Sequence, residues 1–394
     1  MSDPERGRFP ASTFGPCRRQ PPAEPPSGSA PALPIPPTPA PPPRWAVAPG
    51  AGRPPVPRSV LIHQARFRVG DTLWLTPLLR AVRQAFPAAA VTVVAGPLAR
   101  QVLERCPHLS DLLIWDPAGG EAERRRVLDR LGGMEFDAAL FALARRDKSR
   151  WLAAAMAARG VACRVNVEYD LGETLQETDA DLFTHEGWIL WGTMASPRFL
   201  LQALHPWLGE GVQTADRRVE MPVSAAERSE AERVLAAAGI GDGPFVILAP
   251  AGHSSDRWPP ERFGELAARL AAELGVAVLV EGAPADEALL RAVARKAGHP
   301  RVSTATDPLG VLAALLERAR LLVGNDSAPI HVAEAAGTPT LYFAHREKLI
   351  HSHPAGEACR ALYDEELNRL ADISVEQALG AVREMARRGI ASFQ

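Results

Sequence analysis

Three short segments of this chain gather residue types that can do chemistry. The first, Arg66-Phe67-Arg68-Val69-Gly70-Asp71, sets a carboxylate beside two cations just after an apolar run. Such a carboxylate either caps the free N–H groups of a helix start or, pointing into a cleft, acts as a general base. The second, Ala249-Pro250-Ala251-Gly252-His253-Ser254-Ser255-Asp256-Arg257-Trp258-Pro259, combines small residues, two hydroxyls and an arginine ahead of a helix start. That set suits an anion, most naturally a phosphate, and equally suits an ordinary capped helix. The third is Gly324-Asn325-Asp326-Ser327-Ala328-Pro329-Ile330-His331. Pro329 fits a first helical turn, so Ser327 and the Ala328 backbone form a second anion-ready helix start. His331 falls inside that helix and, taken alone, reads as a core histidine.

The surrounding pattern places each segment after a strand and before a helix. Ser59–His63 reads as a buried strand, Leu75, Leu78, Leu79, Val82 and Phe86 recur at helical spacing, and Val91–Val94 reads as the next strand. This β-α-β unit belongs to a parallel sheet. Leu112–Trp115 and Ala138–Phe141 continue it, with a helix at Glu121–Leu131 between them, while 165–210 is less regular and rich in Trp and Phe. The alternation restarts at Phe245–Leu248 and runs through a helix with Phe263, Leu266 and Leu270, a strand Val276–Val280, a helix from Asp286, and strands Leu321–Val323 and Thr340–Phe343. Two open α/β sheets in tandem create a cleft between their strand ends, where ligands of such sheets bind.

Composition sets the outer limits. The chain has 394 residues, and 19 of its 37 prolines fall in residues 1–57, which are expected to be a disordered or polyproline II tail. The remainder suggests two domains of ordinary globular composition. A formal charge of −2 offers no basic field for nucleic acid. No apolar run reaches the roughly 20 residues of a membrane span, and MSDPERGRFP lacks the core of a secretory signal. Cys17, Cys106, Cys163 and Cys359 are scattered, without a CxxC pair, which points to a soluble protein of a reducing compartment. Gly239-Ile240-Gly241-Asp242-Gly243 precedes a strand, so it is not a dinucleotide fingerprint, and no GxxxxGK[ST] occurs. His351-Ser352-His353 has no evident third ligand and reads as a loop.

In combination these segments resemble the heptosyltransferase family, glycosyltransferase family 9 of lipopolysaccharide core biosynthesis. Gly70-Asp71-Thr72 with Leu75-Thr76-Pro77-Leu78-Leu79-Arg80 is similar to the family's GD…TPLLR segment. Arg257-Trp258-Pro259 with Glu261-Arg262-Phe263 resembles its K/R-x-W-P helix start, and Gly282-Ala283-Pro284 with Asp286-Glu287 its GGP-acidic turn. Asn325–His331 with Ala335-Gly337-Thr338-Pro339 resembles the nDTGpmH…A-x-GTP signature, with Ser327-Ala328 where Thr-Gly is usual. The order holds from about residue 58 to about 355.

The resemblance implies an α/β GT-B fold, two Rossmann-like domains facing a cleft. The acceptor domain would occupy 58–210, the nucleotide-sugar domain 211–355, and a helical segment 356–394 would pack back on the N-terminal domain. It implies an inverting transfer of a sugar, ADP-heptose being the expected donor, to a lipopolysaccharide or other glycan acceptor. Asp71 would be the base, with Arg66 and Arg68 on the acceptor side. Gly252, Ser254, Ser255, Arg257, Ser327, Ala328 and His331 would surround the donor diphosphate, and Glu287 and Asp326 the ribose or nearby polar positions. No cofactor and no metal are expected, nor any nucleic-acid partner, and the site of action would be cytoplasmic, in peripheral association with the inner membrane. Two rivals are a GT-B nucleotide-sugar epimerase, which product analysis without acceptor would separate, and a catalytically silent nucleotide-sugar-binding protein.

Overall fold

Apolar strands such as Ser59–His63 and Phe245–Ala249 have no polar face to offer solvent, so they are satisfied only inside parallel sheets covered by helices on both sides. The computed structural model, which describes residues 43–142, 146–170, 179–190, 196–252, 257–345, 349, 358–363 and 369–393, builds two such sheets. The first contains β1 (Arg44–Val47), β2 (Ser59–His63), β3 (Ala90–Ala95), β4 (Asp111–Ile114), β5 (Ala138–Ala142), β6 (Cys163–Asp170) and β7 (His185–Leu190). Its spatial order is β1-β7-β6-β5-β2-β3-β4. The second contains β8 (Phe245–Ala249), β9 (Ala277–Gly282), β10 (Val302–Thr306), β11 (Leu321–Asn325), β12 (Thr340–Phe343) and β13 (Cys359–Leu362), in the order β10-β9-β8-β11-β12-β13. Every pairing is parallel except that of β1 with β7. Strand order reverses between β2 and β5 in one sheet and between β8 and β11 in the other, the points at which open α/β sheets form ligand crevices.

The helices are α1 (Val69–Leu73), α2 (Leu75–Ala85), α3 (Ala99–Leu103), α4 (Gly120–Leu131), α5 (Arg146–Ala158), α6 (Ser196–Leu201) and α7 (His205–Leu208) in the N-terminal half. The C-terminal half holds α8 (Ala225–Ala237), α9 (Pro260–Glu273), α10 (Glu287–Ala297), α11 (Leu309–Arg318), α12 (Ala328–Ala336) and α13 (Val375–Arg387). One apolar cluster runs from Leu75, Leu78 and Leu79 of α2 to Leu235 of α8, Leu315 of α11 and Ile330 of α12, so buried surface is continuous between the two halves. The connecting chain is tied down by α2. Arg80 donates to the carbonyls of Asp216 at 3.2 Å and Arg218 at 2.6 Å and pairs with Glu220 at 3.2 Å. The Glu220 N–H donates to Thr76 Oγ1 at 3.0 Å. Thr76 and Arg80 of the TPLLR segment therefore clamp the domain connection.

Two sequence boundaries move. Residues 1–42 of the expected tail lie outside the described residues, but Arg44–Val47, inside its limits, is the edge strand β1. Trp45 stacks on His205 at 4.5 Å and covers Gly187, while Arg53 donates to the Trp207 carbonyl at 2.9 Å and Trp207 Nε1 to the Pro55 carbonyl at 2.8 Å. Proline density hid these anchors, because a single strand needs only a few of them. The final helix also differs from expectation: α13 packs on α9 of the C-terminal domain rather than returning to the N-terminal one. Its Leu379, Val382 and Met385 join Phe263, Leu266 and Leu270 in one buried cluster. The apolar face of α9 needs a cover, and the capping box of Ser374 and Gln377 starts the helix that supplies it.

Candidate active site

Each segment singled out by chemistry ends at a reversal point. β2 leads into the turn holding Arg66 and Arg68 and then into α1, where Asp71 sits in the first turn. The helix start at Arg68 carries no side-chain cap bond, and Arg66 Nη1 lies 3.7 Å from Asp71 Oδ1. Asp71 is only 5% exposed. Burial pushes its carboxyl above the usual aspartate range, and the Arg66 and Arg68 cations pull it partly back. Those are the circumstances of a base, held partly desolvated beside cations that keep it ionisable.

In the second sheet, β8 and β11 lie side by side, and their following loops are fastened together by one side chain. Asn325, buried at the end of β11, donates from Nδ2 to the Pro250 carbonyl at 2.8 Å. Its Oδ1 accepts from the Trp258 N–H at 2.9 Å. Both ends of the 250–258 loop thus hang on Asn325, with Gly252 close enough that a β-carbon there would stand 3.5 Å from Asn325 Cβ. Trp258 is itself immobilised: it stacks on Phe343 at 4.1 Å and donates from Nε1 to the Ile373 carbonyl at 2.8 Å. Arg257, half-buried, immediately precedes it. Ser254 and Ser255 lie outside the described residues.

After β11, Ser327 adopts extended backbone at φ −155° and begins α12 without a side-chain cap bond; its Oγ donates to the Asn325 carbonyl at 3.2 Å. Ala328 is the first helical residue and Pro329 the next, leaving the positive helix end uncovered by a side chain of its own. Asp326 is half-buried, with its N–H donating to the Phe343 carbonyl at 3.1 Å. Gly337, at φ 74°, ends the helix in the left-handed conformation that favours glycine.

His331 and Glu287 sit differently from the rest. His331 is buried against α1 of the other domain, edge-on to Trp74 at 4.9 Å, and burial pushes its imidazole down to about 4. Glu287 is exposed in the first turn of α10, where its Oε1 accepts from Arg291 at 2.5 Å. Two roles escaped the sequence reading: Asn325 as the loop clamp, although it stands inside a quoted motif, and Glu281. Glu281, next to last in β9, is 2% exposed and is pushed up to about 8 by burial and the neighbouring Asp307 and Asp286 carboxylates. An acidic residue inside an apolar strand was the available signal. Among the described residues no three His, Cys, Asp or Glu side chains converge as a metal group, and no helix is long and apolar enough to cross a membrane. The His351-Ser352-His353 segment lies outside the described residues.

Two Rossmann-like domains with polar loops at their reversal points define the GT-B class of enzyme architecture. Residues 195–379 match the family described as glycosyltransferase family 9 (heptosyltransferase). Lipopolysaccharide heptosyltransferase 3 of Escherichia coli is 24% identical over 283 residues, covering 69% of this chain and 79% of that protein. The glycosyl transferase family 9 structure from Veillonella parvula superposes with a TM-score of 0.70 at 19% identity, covering 84% of this chain and 97% of that one. E. coli heptosyltransferase WaaC, solved with ADP-2-deoxy-2-fluoro heptose, gives a TM-score of 0.62 at 18% identity over 83% and 99% of the two chains. The chain is a glycosyltransferase, and its residues 195–379 are similar to family 9.

Proposed function

We propose that this enzyme transfers a heptose from ADP-heptose, with inversion, to a hydroxyl of a lipopolysaccharide-type acceptor. The observation that carries the reading is the buried Asp71 carboxyl at the reversal point of one sheet, across from the loops that Asn325 joins at the reversal point of the other. The acceptor hydroxyl would lie on the Asp71 side, with Arg66 and Arg68 drawing in its anionic groups. Asp71 takes the hydroxyl proton as the oxygen attacks the anomeric carbon, and the bond from that carbon to the nucleoside diphosphate breaks. The leaving diphosphate gains negative charge, which the start of α12 at Ser327–Ala328, Arg257, and Ser254 and Ser255 in the same loop stabilise. Gly252 lets the diphosphate approach the backbone, and Asp326 and Glu287 face the ribose side. The ADP-2-deoxy-2-fluoro heptose in the WaaC structure supports the choice of donor. On this reading the enzyme works at the cytoplasmic face of the inner membrane, in peripheral association with it.

Asp71→Asn tests the reading. With ADP-heptose and deacylated lipopolysaccharide core as substrates, kcat is expected to fall about 10²–10⁴-fold while the Kd for ADP changes little. The acid limb of the wild-type kcat profile is expected above the usual aspartate range, because burial raises this carboxyl. Turnover of the Asn variant within a few-fold of wild type would make Asp71 a structural residue.

A further inference from the structure

His331 has a geometry that a diphosphate ligand does not require. It lies one turn into α12, with a buried ring whose Nδ1 has no hydrogen-bond partner and which desolvation keeps neutral near pH 7. One edge of that ring rests against Gly70. A β-carbon at Gly70 would stand 2.6 Å from His331 Cδ2 and 2.9 Å from Nε2, far inside contact distance. The Gly70 backbone is helical rather than left-handed, so the close approach, not the conformation, excludes a side chain there. Trp74 meets the same ring edge-on at 4.9 Å. Gly70 on α1 and Trp74, the residue that closes that helix, are one turn apart and both meet His331 of α12. Asp71 follows Gly70 directly, and no side-chain cap at Arg68 fixes the start of this five-residue helix.

We propose that His331 is a positioning residue for the base: its imidazole is the seat on which Gly70 and Trp74 rest, and it fixes the turn that aims Asp71 into the cleft. The inference rests on Asp71 being the base. It has a mechanical consequence, because α12 presents its N-terminus to the diphosphate and its His331 to the base-bearing turn. One rigid helix thereby registers the donor against the group that activates the acceptor, and a displacement of about 1 Å at such a contact costs on the order of a hundredfold in rate.

The test is a double-variant cycle with Gly70→Ala, His331→Ala and the two combined. ADP-heptose and deacylated lipopolysaccharide core serve as substrates, ADP release reports turnover, and calorimetry with ADP reports donor-site affinity. Each single variant is expected to lose about 10- to 100-fold in kcat, with the ADP Kd held within about threefold. In the double variant the new methyl group enters the space vacated by the ring, so part of the loss returns and the effects are non-additive. The acid limb of kcat in His331→Ala should shift toward the ordinary aspartate range as water reaches Asp71. A more than tenfold weaker ADP Kd in His331→Ala with kcat intact at saturating donor would make His331 a phosphate ligand and overturn the proposal. Unchanged kcat, or strictly additive losses, would overturn it too. Should His331→Ala fail to unfold cooperatively, Gly70→Ala carries the test, since alanine suits a helical backbone. A wild-type enzyme that binds ADP but releases none from the donor would bring down the transfer reading first, and this role with it.

Discussion

The backbone N–H of Trp258 and the side chain of Asn325 are joined at 2.9 Å, while the same side chain holds the Pro250 carbonyl at 2.8 Å. One buried amide thus closes a loop whose ends are otherwise attached to different elements, the end of β8 and the approach to α9. Asn325→Ala would leave a buried donor and a buried acceptor unpaired, at about 1–3 kcal/mol each. The loop would then relax away from α12. The expected outcome is a Kd for ADP weakened at least about tenfold, with secondary structure by circular dichroism unchanged. ADP affinity equal to wild type would show that the loop keeps its form without the clamp.

Arg257 stands at the end of that loop, and α12 begins without a side-chain cap bond. On the proposed reading, together they supply the positive potential that a leaving diphosphate needs. Arg257→Ala is expected to weaken ADP binding by a contact of about 1.5–3 kcal/mol, roughly ten- to a hundredfold in Kd, measured by calorimetry. Chelation with EDTA is expected to leave turnover essentially intact. Activity abolished by EDTA and restored by Mg²⁺ would show that the diphosphate is neutralised by a metal instead.

Much of this arrangement is legible along the chain, for a definite reason. Leu61 and Ile62, or Val246 through Leu248, are buried on both faces of a parallel sheet, and that doubly apolar environment writes an unbroken run into the sequence. Loops that follow such strands are where polar residues gather, so Asp71, Arg257 and Ser327 stand out. What the sequence conceals are contacts made by small or ambiguous residues. Gly70 looks like a turn glycine, but its purpose is to let His331 approach from a helix 261 positions later in the chain. His331 resembles a core histidine and is one, except that its core straddles two domains. The destination of α13 was illegible because an amphipathic stripe records that a helix must pack, not on what.

That destination has a measurable consequence. Leu379 is fully buried between α13 and α9. Leu379→Ala should cost about 2–5 kcal/mol, as for other buried leucines. The loss should fall on the C-terminal domain, whose core contains both helices. Limited proteolysis of the variant is expected to nick the region 220–393 first, with ADP protecting it. Preferential cleavage within 58–205 would instead mean that α13 supports the N-terminal domain.

Glu281 gives a pH signature independent of catalysis. Its Oε2 is buried without a hydrogen-bond partner, and burial, reinforced by Asp307 and Asp286, pushes the carboxyl from an ordinary 4.5 to about 8. In the unfolded chain this group loses its proton near 4.5, whereas the folded chain keeps it until about 8. Below 4.5 both states are protonated, and the favourable burial of the neutral acid is fully present. As pH rises from there, the unfolded state sheds a proton that the folded state retains, so stability falls continuously until pH passes about 8. Each unit is worth about 1.4 kcal/mol, which makes the whole effect a few kcal/mol. Glu281→Gln preserves shape and removes the titration. At pH 5 its melting temperature should therefore lie close to that of wild type. At pH 8.5 the variant should melt several degrees higher, at roughly 2–4 °C per kcal/mol for a domain of this size. The measurement is a pair of thermal unfolding curves at each pH with ionic strength held constant. A Gln variant offset from wild type by the same amount at both values would mean that Glu281 ionises in the ordinary range, and that the substitution acts through packing alone.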